Sequence, residues 1–167
     1  MSRKLASIAV LASVLLAGGA AAEEKFVTFR SMTVELALEL AQAALKHCRE
    51  QGWQAAVAVV DRGGVVQVLL RDRFAGPHTP TTATSKAWTA ISFRASTLDL
   101  AANSQAGRPA SGIRHAPGAI LVGGGLTVES RGSMVGGIGI SGAPSGESDD
   151  ACARAGIAAI EDKLAFD

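Results

Sequence analysis

The chain has no tyrosine, two tryptophans, five phenylalanines and two cysteines in 167 residues. The missing phenol excludes a tyrosinate ligand to any metal. The wide spacing of Cys48 and Cys152 excludes both a C-x-x-C metal or redox clip and a C-x-x-C-H heme attachment. An excess of one charge is also absent, since 16 basic side chains face 15 acidic ones without a basic block. Such a surface carries no electrostatic footprint for nucleic acid. None of G-x-S-x-G, H-E-x-x-H or G-x-x-x-x-G-K-[ST] occurs. The serines and threonines of 79–85 have no adjacent base and orienting acid.

Apolar runs are concentrated at the amino terminus. Arg3 and Lys4 precede an apolar stretch over 5–16, and Ala20-Ala21-Ala22 follows it. This is the pattern of a secretory leader cleaved after Ala22. The run is shorter than the roughly 20 residues that span a bilayer. The expectation is therefore a leader over 1–22 and one exported domain over 23–167, periplasmic or secreted, with no membrane span after cleavage. In an oxidising compartment Cys48 and Cys152 either form a disulfide or pack as two separate buried thiols.

The clearest element is a helix over 33–51. Glu35, Glu39, Gln42, Lys46 and Arg49 mark its wet face, and Val34, Ala37, Leu38, Ala41, Leu45 and Cys48 its apolar stripe. Thr33 is the expected N-cap, and Gly52 ends the pattern. Two β-branched runs around Asp61-Arg62-Gly63-Gly64 read as a β-hairpin. A rigid turn, Gly76-Pro77-His78, leads into a helix over 81–93 carrying Lys86 and Trp88, with a shorter helix near 97–103. The segment 103–117 reads as irregular. Strands are expected over 119–122, 126–129 and 133–141, and a last helix over 149–164, where Gly156 allows close packing. Glu147, Asp149 and Asp150 stand where a helix start favours acids, and are read as serving its dipole.

This order predicts an α+β domain: a five-stranded antiparallel sheet, with the first and last helices on one face and a helical connection after the first hairpin. If those two helices run antiparallel, Cys48 and Cys152 can meet, and a bridge closing so long a loop contributes on the order of 4 kcal/mol in the entropic account. Gly137, Gly139 and Gly142 in GGIGISG fit G-x-G-x-x-G. A dinucleotide site needs a further parallel strand bearing an acid after the helix. Here only Pro144 and one helix follow, so the glycines are read as letting another backbone lie close to a strand.

The chain resembles the GlcG/HbpS family of small heme-binding, so-called heme-degrading domains. The resemblance is carried by TVELALELAQAALKHCREQG, AVAVVDRGGVVQVLLRD, KAWTA and PGAILVGGG…GSMVGGIGISGAPSGESDDACARAGIAAI, in that order. It implies a profilin-like domain, homo-oligomeric assembly and, as cofactor, heme. A heme site uses an axial ligand, an apolar slot and cationic or hydroxyl groups for the propionates. His78, in its rigid turn, is the first candidate ligand, and His115, in an irregular segment, the second. Thr79, Arg73 and Lys86 are the candidate propionate partners, with Arg71 nearby. His47 is read as a partly exposed histidine at a helix end, and Met134 as core filler. The functional expectation is a non-covalent heme or tetrapyrrole binder used in heme storage, sensing or degradation. The alternative is a binding protein, accessory factor or enzyme for a small organic acid or aldehyde in a periplasmic oxidation pathway.

Overall fold

The computed structural model describes residues 25–165; the expected leader lies outside them. The Thr33 hydroxyl accepts the Leu36 N–H at 3.3 Å and opens helix α1, Val34–Glu50. Leu40 and Ala44 are fully buried, whereas Val34 and Leu38 are exposed, so the apolar stripe is rotated from the expected one. The cause is a second helix. Gly156 lies against α1 so closely that a Cβ there would stand 2.7 Å from Ala44 Cβ and 3.0 Å from Leu40 O.

The hairpin is formed by β1, Ala56–Asp61, and β2, Val66–Arg71. Asp61 closes its turn by accepting the N–H groups of Gly63 and Val65 at 2.8 and 2.9 Å, while Gly64 takes φ of +86°. Helix α2, Thr79–Phe93, and the short α3, Thr97–Asn103, follow. Part of the segment expected to be irregular is a 3₁₀ helix, Pro109–His115. Strands β3, Gly125–Ser130, and β4, Ser133–Ser141, precede α4, Gly146–Ala159, and α5, Glu161–Ala165. The expected single last helix is thus broken at Ile160.

The sheet is antiparallel with order β2-β1-β4-β3. It has four strands among the described residues, which corrects the expected five. The apolar run over 119–122 lies outside the sheet because its backbone is engaged elsewhere. The Ile120 N–H donates to the Thr89 hydroxyl of α2 at 2.9 Å rather than to a strand.

Alternation sorts the sheet into two different faces. Val57, Val59, Leu126, Val128, Ile138 and Ile140 form the main core with α1 and α4. Ala56 and Ala58 of β1, Gly137 and Gly139 of β4, and Gly125 of β3 face α2 on the other side. A Cβ on Gly139 would stand 2.0 Å from Ala83 O, and one on Gly125 2.3 Å from Lys86 O. The glycine run therefore lets α2 rest on the sheet at backbone distance. Cys48 and Cys152, both fully buried, form a disulfide that ties α1 to α4 with Cα atoms 5.5 Å apart.

Candidate functional site

At the end of the sheet where β1 begins and β4 stops, a cleft of about 680 Å³ opens between the turn before α2 and the loop from β4 to α4. This volume falls within the roughly 300–1,000 Å³ range of small-molecule sites. Trp53, Phe74, Val122 and Pro144 supply apolar wall, and His78, Thr79, Lys86 and Asp149 supply polar groups.

His78 occupies the N-cap position of α2, yet its side chain makes no capping hydrogen bond. Its imidazole folds back over Gly76, where a Cβ would stand 2.7 Å from Cε1 and 2.9 Å from Nδ1. Gly76 thus clears the space for this exposed ring at the cleft. Thr79 is buried, and its hydroxyl donates to the Gly76 carbonyl at 2.7 Å, so its proton serves the turn.

Lys86 is 2% exposed, and its Nζ donates to Asp149 Oδ2 at 2.7 Å. Asp149 Oδ1 accepts the Ala143 N–H at 2.9 Å. One carboxylate therefore joins α2, the first turn of α4 and the loop that walls the cleft. The pair corrects the reading of Asp149 and Asp150 as dipole-serving acids at the helix start: both are buried, and Asp150 Oδ2 accepts from Arg154 Nε at 2.6 Å. One sequence feature marked the pair: Lys86 is the only charged residue within α2.

Burial raises the Asp149 pKa above its usual 3.8; Lys86 and the backbone N–H groups of Ala143 and Gly142 oppose that rise without cancelling it. The folded state then holds this proton more tightly than the unfolded state does. Its contribution to stability is complete below 3.8 and is lost as pH rises through the raised folded value. Wild type should therefore lose stability relative to Asp149→Asn across that window. Urea midpoints measured at successive pH values check this, and a flat or inverted difference would contradict it.

The other candidates lie elsewhere. Arg73 is outside the cleft wall, with its guanidinium 5.9 Å from the Phe74 ring centre. His115 is exposed at the end of the 3₁₀ helix and is not among the cleft-lining residues. His47 sits half-buried in the last turn of α1, and Met134 packs against the cluster of Val60, Ala87 and Ile91.

Residues 32–158 match the family described as "Haem degrading protein HbpS-like". The chain is 33% identical over 124 residues to the corrinoid adenosyltransferase PduO of Citrobacter freundii, a match covering 73% of this chain and 37% of PduO. It thus spans little more than a third of that relative's length. Among solved structures, a double mutant of Streptomyces reticuli HbpS is 36% identical with a TM-score of 0.76, the match covering 92% of this chain and 97% of that one. A PduOC:heme complex is 31% identical with a TM-score of 0.73, over 78% of this chain and 95% of that one. On the family match and these likenesses, the chain belongs to the HbpS-like family.

Proposed function

We propose that this is an exported, homo-oligomeric protein that binds heme or a related tetrapyrrole reversibly and non-covalently in the cleft beside His78. The observation that carries the reading is an uncapped imidazole at an apolar-walled cleft of ligand size. A solved relative at 31% identity is a heme complex, which supports the same ligand. The residues present fit the group: Trp53, Phe74 and Val122 can flank a flat apolar ring, and His78 can reach a metal through a ring nitrogen. Bound heme would supply the iron chemistry. The protein's own part is to hold the ring, offer an axial ligand and limit water access. Heme storage, sensing or degradation is the use to which this binding would be put.

Titrating the purified protein with heme should shift the Soret band and raise the melting temperature. His78→Ala should abolish the axial-ligand signature and weaken binding by at least about tenfold, or 1.4 kcal/mol. A protein for a small organic acid would instead be stabilised by carboxylates and be indifferent to heme. Absence of both a Soret shift and a heme-induced rise in melting temperature would overturn the proposal.

A further inference from the structure

A second hollow, of about 580 Å³, adjoins the cleft and shares Gln54 and Phe74 with it. Arg49, Arg71, Arg73 and Asp72 line it. Arg49 donates Nε and Nη2 to Asp72 Oδ1 at 2.8 and 2.5 Å, and Asp72, 5% exposed, also accepts the Ala55 N–H at 3.4 Å. Arg71 donates to the Ala75 carbonyl, and Arg73 lies over the Phe74 ring. Asp72 therefore neutralises only one of three guanidinium groups gathered around a single concavity.

Like charges so placed repel, and an anion lying among them relieves the repulsion. A guanidinium carries five N–H donors in a rigid fork that matches a carboxylate. Arg49 spends donors on Asp72 and Arg71 spends one on Ala75, so the remaining donors, with all those of Arg73, are available to a ligand. Lys86, by contrast, is committed to Asp149 and buried. The cationic counterpart of the cleft is this hollow.

We propose that the hollow is the anion subsite of the cleft: Arg71 and Arg73, backed by Arg49, hold the carboxylate arms of a ligand whose flat apolar body lies beside His78. The assignment rests on the heme reading for the identity of that body. It adds the ligand class, a planar apolar molecule with carboxylates along one edge, and it places the propionates across the wall of Gln54 and Phe74.

The test compares hemin with hemin dimethyl ester, whose carboxylates are blocked, on wild type, R73Q, R71Q/R73Q and H78A, read by Soret titration and melting temperature. Wild type should bind hemin more tightly than the ester by on the order of tenfold, with the advantage shrinking as salt rises. R71Q/R73Q should lower hemin affinity to that of the ester and leave the ester unchanged. R73Q, whose guanidinium touches only the Phe74 ring, should lose part of the same preference. H78A should weaken both ligands equally. Equal wild-type affinity for hemin and ester, or unaltered hemin binding by R71Q/R73Q, would overturn the subsite while leaving the His78 cleft in place. Loss of both ligands by R71Q/R73Q would show that Arg71 merely supports the His78 turn through Ala75. Failure of wild type to bind either would remove the heme reading and the subsite with it.

Discussion

Gly139→Val is expected to destabilise the fold severely. A Cβ at this position would stand 2.0 Å from Ala83 O and 2.7 Å from Ala87 N, and both obstacles are backbone atoms of α2. No rotamer change relieves a backbone clash, so the helix itself has to recede. It is also seated on Gly125, where a Cβ would meet Lys86 O at 2.3 Å, and on Gly137, beside Ile91. Moving it would therefore open the whole layer and draw Lys86 away from Asp149. The cost should reach about 4 kcal/mol or more, the far tail of single substitutions. That is a large part of the roughly 5–15 kcal/mol that holds a domain folded. Ile138→Val, one residue earlier and on the opposite face, should cost only about 0.5–1.5 kcal/mol. Circular dichroism melts of the two variants check the contrast. A Gly139→Val protein melting within a few degrees of wild type would contradict it.

Removing either partner of the buried ion pair is expected to have the next largest effect. Lys86→Met leaves the Asp149 carboxylate buried with backbone N–H donors alone, and Asp149→Ala leaves an ammonium that is 2% exposed at the residue level without its carboxylate. Each should cost about 3–5 kcal/mol, because the survivor is an uncompensated charge out of water. Lys86→Met/Asp149→Leu should recover much of that loss, since neither charge then has to be desolvated. The raised Asp149 pKa agrees with this sign: burial disfavours the carboxylate more than its partners restore it. Urea unfolding of the two single variants and the double variant measures the coupling. Additive losses in the double variant would contradict it.

Elements with their own local code could be read from the chain. The period of α1 and the Thr33 cap, the Asp61 turn and the unbroken apolar run of β1 need no distant partner to be recognised. What escaped was tertiary. The run over 119–122 has strand composition, but whether it joins a sheet depends on Thr89 capturing the Ile120 N–H. The stripe of α1 was displaced because Gly156 of α4 seats against Leu40 and Ala44, a contact that the periodicity of α1 does not contain. The site followed the same division. His78 stood out from its turn, whereas Asp149 resembled any acid at a helix start until Lys86, 63 residues earlier, came within 2.7 Å. The arginines of the hollow show the same dependence, since Arg49 lines one hollow with Arg71 and Arg73 only through the packing of α1 beside the hairpin.

The Cys48–Cys152 bridge makes the residues between them a covalent ring containing every strand of the sheet, the turn with His78 and the loop beside Asp149. Within that ring lies the surface segment from Gln105 to Gly118, much of it exposed. A single peptide cleavage there opens the ring without dividing the molecule: both pieces stay joined through sulfur. The backbone can thus be interrupted outside the cleft-lining residues while the two walls of the cleft remain parts of one molecule.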